Sequence, residues 1–245
     1  MARGLTRPAG IAHARAMTAV DQCTATLRSA ILDGSFTAGE RLPPERQLAE
    51  RLAVDRTTLR AALGRLVSAR LLSVRQGSGY VVLDYRRTAG LDVLPDLVRA
   101  RPAELARMIG DVLEVRRRLA AMVLARLLEE DASLDGIERA VDAFAAAAER
   151  GEGHEALARC DVEVTAALLE ASGSTVLGLC LNPVSQVLFQ IEKLRELLYL
   201  EPLGNVAAYR MVLSILRSRS PGALETVLAE LARRDERTLE RLRAS

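Results

Sequence analysis

The stretch that decides the fold runs from Val54 to Leu63 and reads VDRTTLRAAL. Arg56 and Arg60 stand with two threonines directly before an apolar run. Asp55 is suited to cap a helix here, because its side-chain oxygen can accept hydrogen bonds from the free amides of the next turn. A helix that only packed into a core would have no use for two arginines in its first turn. The pattern therefore indicates a helix start that contacts an external partner.

The residues on either side of this helix predict the elements around it. Apolar residues recur with helical spacing from Met17 to Ile31, and ERQLAERLAV, residues 45–54, predicts a short second helix. Asp55 then opens the third helix. Downstream, LLSVRQGSGYVVL, residues 71–83, is typical of two short strands around a glycine-containing turn. The order helix, helix, turn, helix and hairpin predicts a winged helix-turn-helix over residues 16–84.

In such a module the first turn of the second helix of the motif enters the major groove of DNA. Arg56 and Arg60 lie four residues apart on one face, where they can contact guanine edges or phosphates. Thr57 and Thr58 are short donors that suit a phosphate or a thymine methyl, and the helix N-terminus adds free amides and a partial positive charge. The other predicted DNA contacts are Arg46 in the preceding helix and, at the wing tip, Gln76, Gly77 and Ser78.

Charge along the chain favours a polyanionic partner for this module. Residues 1–85 contain 12 arginines and 7 acidic residues, whereas the remaining 160 residues contain 22 basic and 25 acidic ones. The net charge of +2 for the whole chain hides this asymmetry. A basic domain beside a slightly acidic one indicates that the first domain binds nucleic acid.

Composition argues against several other classes. No apolar run approaches the ~18 residues of a membrane span, and the N-terminus lacks the continuous apolar segment of a signal peptide. Cys23, Cys160 and Cys180 are odd in number and widely spaced, so we expect buried free thiols in a cytoplasmic protein. His13 and His154 have no serine or cysteine partner at a recognisable spacing, so we predict no catalytic triad and do not expect an enzyme.

The rest of the chain predicts a second, helical domain. Residues 1–15 indicate a flexible arm, residues 85–90 a linker, and residues 91–245 an all-helical effector-binding and dimerisation domain. Helical periods in this last part are interrupted near residues 99–103, 130–135, 151–153, 172–174, 202–205 and 218–222, which predicts six or seven helices. The predicted fold class is therefore mostly α, with an N-terminal winged helix-turn-helix and a C-terminal helical bundle.

Two charged residues interrupt apolar stripes in this second domain. Arg116 and Asp161 each lie in line with residues expected to face the core, and Thr165 lies one turn from Asp161. A charge that faces a core is unfavourable unless it is paired or meets a ligand. One interpretation is a structural salt bridge between Arg116 and Asp161. The other is a polar patch in a cavity that binds the head of an otherwise apolar ligand, where Tyr209 adds a further hydroxyl.

Residues 39–82 resemble the GntR family of bacterial transcription regulators. They contain its G-x-x-L-P-x-E-R-x-L-A start, its R-x-T-x-R core and its R-Q-G-x-G wing. The resemblance implies a homodimeric repressor or activator that reads a short palindromic operator. Residues 84–100 and 171–184 resemble the FadR branch of the family, which includes regulators of fatty-acid metabolism and of actinobacterial lipid-import operons. This second resemblance implies a fatty acid or its CoA thioester as the effector.

The resemblance also bears on metals and on the effector. Many members of the branch bind a divalent metal through one Asp and three His, but here Thr165 and Tyr209 stand where two of the histidines would be, and residues 230–234 contain none. Asp161 without imidazoles cannot hold a transition metal tightly, so we expect no metal and no other cofactor. A weakly bound cation with oxygen ligands stays open as an alternative. Arg116 matches an arginine often found in ligand pockets of the branch. Two alternatives stay open: a small organic-acid effector of a carbon-catabolism regulator, and a constitutive DNA-binding dimer without an effector.

Overall fold

The computed structural model describes residues 17–75, 79–130, 132–219 and 222–244. Within it the chain packs as two units, which adjoin in sequence between Ala89 and Gly90. The predicted flexible arm and the predicted wing tip, Gln76, Gly77 and Ser78, lie outside the described residues. The fold class is mostly α, as predicted.

The first unit contains its helices and its hairpin in the predicted order. These elements are α1 (Ala19–Leu32), α2 (Glu45–Leu52), α3 (Arg56–Ser68), β1 (Leu72–Arg75), β2 (Gly79–Val82) and α4 (Tyr85–Thr88). The strands pair antiparallel, and an isolated bridge from Arg41 to Val81 extends their sheet. Residues 85–88, predicted as part of a linker, form a helical turn instead. The Thr88 hydroxyl anchors this turn by donating a hydrogen bond to the Arg70 carbonyl at 2.7 Å.

Helices α1 and α3 form the core of the first unit. Their buried side chains recur every three or four residues, as amphipathic helices require, and include Cys23, Leu27, Ile31, Leu59, Leu63 and Leu66. At the edge of this contact Asp21 accepts a hydrogen bond from Arg65 at 2.5 Å and closes a capping box with Thr18 at the start of α1. The packed face of α3 is thereby held against α1.

The described residues of the second unit contain eight α-helices, where six or seven were predicted. They are α5 (Leu94–Ala100), α6 (Leu105–Glu129), α7 (Asp135–Glu149), α8 (His154–Ala171), α9 (Thr175–Gln190), α10 (Glu192–Leu198), α11 (Pro202–Ser218) and α12 (Ala223–Ala244). The break predicted at residues 202–205 lies at 199–201, because Pro202 opens α11. The break at Ile191 was not predicted. Its backbone is extended (φ −89°, ψ 98°), but the residue is apolar and buried, so it does not interrupt the hydrophobic pattern.

Helix α6, with 25 residues, packs against α9 and α12, and α7 packs against α8 and α11. Phe144 of α7 is fully buried, and the rings of Tyr199 and Tyr209 meet it edge-on with centroid distances of 6.3 and 6.1 Å. Such edge-to-face contacts favour fixed ring orientations. The two tyrosine hydroxyls are therefore held in defined places inside the bundle.

The cysteines are free thiols within the described residues, but they are not all buried. Cys23 is buried, Cys160 is half-buried, and Cys180 is exposed on α9. The prediction of buried thiols is therefore wrong for Cys180, because its position faces outward from a helix whose other side packs into the bundle. In the parts of the chain that the structure describes, no helix combines the length and apolar character needed to cross a membrane.

Candidate functional site

The start of α3 is a capped helix end with exposed polar side chains. Asp55 Oδ1 accepts a hydrogen bond from the Thr58 amide at 2.8 Å, and Oδ2 accepts one from the Thr58 hydroxyl at 2.7 Å. These hydrogen bonds, the amide first, lower the pKa of the Asp55 carboxyl. The hydroxyl hydrogen of Thr58 is thus engaged within the protein, whereas Thr57 is exposed.

The three predicted DNA-contacting arginines differ in how firmly they are held. The Arg60 side chain donates from Nε to Glu45 at 2.8 Å, and this hydrogen bond raises the pKa of Arg60. Arg46 lies 3.8 Å from Glu50 in a loose, exposed pair. Arg56 is exposed and makes no ion pair with any other residue that the structure describes. Of these three arginines, Arg56 is therefore the one most available to an outside anion.

The turn between α2 and α3 sets where this helix start lies. Ala53 adopts the left-handed conformation (φ 52°, ψ 41°), and its amide bonds back to the Ala49 and Glu50 carbonyls. Non-glycine residues seldom adopt this region. The conformation reverses the chain at the end of α2, so that α3 can begin only three residues later, at Arg56.

The second unit contains a cavity of about 160 Å³ lined by α6, α8, α9, α10, α11 and α12. Part of its wall is apolar and includes Leu124, Leu168, Leu181, Leu188, Leu198 and Leu231. Another part is charged, with five arginines and three carboxylates: Arg116, Arg117, Arg234, Arg237, Arg241, Asp161, Glu201 and Asp235. The lining therefore combines an apolar surface with an excess of positive charge.

Asp235 of α12 is the centre of an ion-pair cluster at this cavity. Its side chain is only 5% exposed and accepts hydrogen bonds from Arg116 at 3.2 Å and from Arg117 at 2.7 Å. Burial would lower the pKa of Arg116, but the negative charges of Asp235 and Asp161 outweigh burial and raise it. One interpretation of the sequence paired Arg116 with Asp161, and this partner is wrong. Arg116 pairs with Asp235 instead, because α12 packs along α6 and brings Asp235 to the arginine.

Asp161 of α8 is held by two tyrosines. Its Oδ1 accepts a hydrogen bond from the Tyr209 hydroxyl at 2.6 Å, and its Oδ2 accepts one from Tyr199 at 3.0 Å. Burial, reinforced by the charge of Asp161, raises the pKa of both tyrosines, so both hydroxyls stay protonated and donate. Thr165 lines the same cavity. Arg116 lines it as well, so the structure brings together all four residues predicted for the polar patch.

Sequence reasoning missed Arg117, Tyr199 and Asp235. Asp235 gave the same signal as Arg116, because it interrupts an apolar stripe of α12 that runs from Leu231 to Leu242. Tyr199 gave no such signal, since it follows the short helix α10, whose separation from α9 the sequence did not reveal.

The donor set of this cavity does not fit a transition metal. Among the described residues, no group of three His, Cys, Asp or Glu side chains is placed to hold a metal ion. Asp161 already accepts two hydroxyl donors, and the lining offers no histidine. Transition metals in proteins prefer imidazole or thiolate ligands. The arrangement can instead bind an anionic group through the arginines and an apolar group against the leucines.

Comparison with known families matches both units. Residues 19–82 match "Bacterial regulatory proteins, gntR family", and residues 111–234 match the FCD domain. An HTH-type transcriptional regulator of Mycobacterium tuberculosis is 41% identical over 116 residues, which are 46% of this chain and 47% of that protein. A fatty acid metabolism regulator protein of Cronobacter sakazakii is 33% identical over 152 residues, 62% of each chain. The similarity thus spans about half to three fifths of these relatives' length.

A solved structure shows a similar fold. The protein Lar, described as controlling the expression of the Listeria monocytogenes agr system and mediating virulence, aligns with a TM-score of 0.57 over 93% of this chain and 97% of that one. The sequences are 13% identical, so this likeness concerns the fold alone.

Proposed function

The chain belongs to the family of bacterial regulatory proteins that joins a GntR domain to an FCD domain, and from this premise we propose that it is a DNA-binding transcription regulator that responds to an anionic effector. The observation that carries the proposal is the amphipathic cavity with its arginine cluster in the second unit. A regulator of this kind acts in the cytoplasm of a bacterium, where the DNA lies, and has no catalytic step.

DNA is read, in this proposal, by the unit of residues 16–84. Arg56 enters the major groove with the first turn of α3 and contacts a base edge or phosphate. Arg60 joins it through the guanidinium nitrogens that Glu45 does not engage, and Arg46 contacts the backbone. Thr57 contacts a phosphate or a thymine methyl, and Thr58, whose hydroxyl donates to Asp55, contacts a thymine methyl. The remaining contacts come from the wing tip, at Gln76, Gly77 and Ser78.

The effector is an aliphatic carboxylate, bound in the cavity of residues 91–245. Its head binds Arg116 and Arg117, its chain packs against the leucines, and Asp161, Thr165 and Tyr209 complete the polar part of the wall. Similarity to a fatty acid metabolism regulator supports this class. A cavity of about 160 Å³ is close in size to the engineered apolar cavity of ~150 Å³ that holds benzene. A short chain therefore fits directly, whereas a long acyl chain or its CoA thioester requires the cavity to widen.

The proposed response is a population shift. The effector head competes with Asp235 for Arg116 and Arg117, so binding loosens the link between α12 and α6. The effector thus binds one arrangement of the helical unit more tightly than another and raises the population of that arrangement. The affinity for DNA changes because the two arrangements bind DNA differently. The polar alternative, a small organic acid without an apolar chain, is favoured only by the modest volume of the cavity.

A thermal-shift series tests the effector. Butyrate, octanoate, palmitate, palmitoyl-CoA and citrate are added to the wild type, to Arg116→Met and to the matched control Arg118→Met, whose side chain is 76% exposed on the same helix. We expect octanoate to raise the melting temperature of wild type and control, because it binds the folded state only, but not that of Arg116→Met. A response to citrate alone indicates the organic-acid alternative, and no response to any compound indicates a dimer without an effector.

Selection from a randomised duplex DNA pool tests DNA reading. We expect the wild type to enrich a palindromic sequence, and Arg56→Ala to bind that sequence about 1–3 kcal/mol more weakly if Arg56 contacts a base edge. Arg118→Ala removes the same charge from the other unit and should bind like the wild type. Failure to enrich any sequence would contradict the proposed function, and unchanged affinity of Arg56→Ala would remove this arginine from the groove.

A further inference from the structure

Arg234 of α12 is a cation at the cavity whose charge no carboxylate balances. Its half-buried side chain lines the cavity and donates hydrogen bonds to the Gly204 carbonyl and to the side-chain oxygen of Asn205. The amide nitrogen of Asn205 donates in turn to the Leu198 carbonyl at 3.0 Å, which leaves the amide oxygen for Arg234. Arg234 makes no ion pair with the other residues that the structure describes. Neutral oxygens therefore satisfy some of its N–H donors but not its charge.

The carboxylates around Arg234 are engaged by other arginines. Glu230 pairs with Arg233, Glu201 with Arg241, and Asp235 with Arg116 and Arg117. Burial lowers the pKa of the Arg234 guanidinium, and the positive charges of Arg237 and Arg116 lower it further. For Arg116 burial acts in the same direction, but the charge of Asp235 outweighs it. The contrast marks Arg234 as the arginine that still lacks an anion.

The lining as a whole has the same deficit. Its five arginines exceed its three carboxylates by two charges. An unbalanced charge beside an apolar wall is unfavourable, and a bound anion relieves it. A monocarboxylate on Arg116 and Arg117 supplies one negative charge and leaves the other deficit in place. A ligand with two anionic groups supplies both.

The two cationic positions lie on different sides of the cavity. Consecutive residues of a helix project about 100° apart, so Asp235 and Arg234 point in different directions from α12. Asp235 meets Arg116 on α6, whereas Arg234 reaches Gly204 at the start of α11. The apolar part of the lining suits a hydrocarbon chain that joins two anionic ends.

We propose that the cavity takes an aliphatic dicarboxylate, whose first carboxylate binds Arg116 and Arg117 and whose second binds Arg234. The proposal rests on the proposed function for the first carboxylate and adds a subsite for the second. A guanidinium binds a carboxylate through two parallel hydrogen bonds, so Arg234 is suited to this second group. Arg234 is then the residue that distinguishes dicarboxylates from monocarboxylates.

Isothermal titration calorimetry on the full chain tests the second subsite. Adipate, suberate and sebacate are each compared with the monocarboxylate of equal length, which is hexanoate, octanoate or decanoate. Because one charged hydrogen-bonded pair is added, we expect the best dicarboxylate to bind about tenfold or more tightly than its partner. The monomethyl ester of that dicarboxylate keeps the length but loses one charge, and it should bind like the monocarboxylate.

Substitutions of Arg234 show whether this arginine is responsible. Arg234→Gln should abolish the preference for the dicarboxylate and bind the monocarboxylate nearly as the wild type does. Arg234→Lys keeps the charge without the planar fork, so it should retain part of the preference. The matched control is Arg233→Gln, at the adjacent exposed arginine, which is not part of the cavity lining, and it should keep the full preference. Circular dichroism melting curves confirm that each variant is folded at the temperature of the titration.

The outcomes separate this inference from the proposed function. Dicarboxylates that bind no more tightly than their partners, while monocarboxylates still bind, would overturn the second subsite and leave the proposed effector class in place. Arg234 variants that lose both ligands together would show a structural arginine and would also overturn it. Tighter binding of octanoyl-CoA than of any dicarboxylate would overturn the choice of ligand. An Arg234-dependent preference in a protein that enriches no DNA sequence would support the subsite and defeat the proposed function.

Discussion

The ion-pair cluster at the cavity predicts unequal effects of removing its arginines singly and together. Asp235 is 5% exposed and accepts from both Arg116 and Arg117, whose side chains are 25% and 27% exposed. Arg116→Met leaves Asp235 its shorter bond, at 2.7 Å to Arg117, so we expect a loss of about 1 kcal/mol in the free energy of unfolding, below the usual 1.5–3 for a charged hydrogen bond. Arg117→Met should lose about 2 kcal/mol, because the remaining bond is longer.

Removing both arginines strands a buried carboxylate, which destabilises a fold by about 3–5 kcal/mol. The double variant should therefore lose at least as much as the two single losses combined. Adding Asp235→Leu to it should recover most of the loss, because three apolar side chains of suitable size can replace a buried charge cluster. Urea unfolding followed by circular dichroism measures all four variants. A double variant no less stable than Arg117→Met alone, or a triple variant as unstable as the double, would refute a buried Asp235 that depends on these arginines.

Three further outcomes are expected. Ala53→Gly should raise the stability of the first unit by about 0.5–1 kcal/mol, seen as a higher melting temperature, because glycine relieves the left-handed strain but has more freedom when unfolded; an unchanged or lower melting temperature would contradict this. Tyr209→Phe should lose about 1.5–3 kcal/mol in urea unfolding, since it removes a charged hydrogen bond to Asp161, and a neutral result would mean that the bond contributes nothing. Hydrogen bonds to Asp21 lower its pKa, so the stability they add is present above the unfolded pKa of about 3.9 and is lost as pH falls toward the folded value. Asp21→Asn should therefore lose less stability than the wild type between about pH 5 and pH 3, and equal losses would show that Asp21 does not contribute.

Local signals carried most of the prediction of the first unit. The Asp55 cap, the alternation of helical periods and the glycine-containing hairpin are each encoded within a few residues, and the structure has the three helices and the two strands in the predicted order. The hydrogen bond that the Thr58 hydroxyl makes could not be predicted from the sequence. This hydroxyl closes the cap in addition to the backbone amide, and a polar residue in a first turn gives no sign of whether it faces inward or outward.

In the second unit, the local sequence predicted some helix breaks and not others. Helix breaks marked by Gly, Pro or polar clusters were found, but the break at Ile191 was not, because an apolar residue in an extended conformation leaves the hydrophobic pattern continuous. That missed break places Tyr199 at the end of α10, from where its hydroxyl reaches Asp161. The site was thus predicted without one of its two hydroxyl donors.

By itself the sequence determined which side chains face the interior, since a period of 3.6 residues shows which side of a helix is apolar and exposes a misplaced charge such as Arg116. Only the tertiary structure decided which element each of those sides meets. Asp235 lies 119 residues from Arg116 along the chain, and Asp161 lies 45 residues from it, yet α12 and not α8 supplies the ion-pair partner. The physical reason is that hydrophobic periodicity is a property of one helix, whereas a buried ion pair depends on how two helices pack, and many packings bury the same stripe equally well.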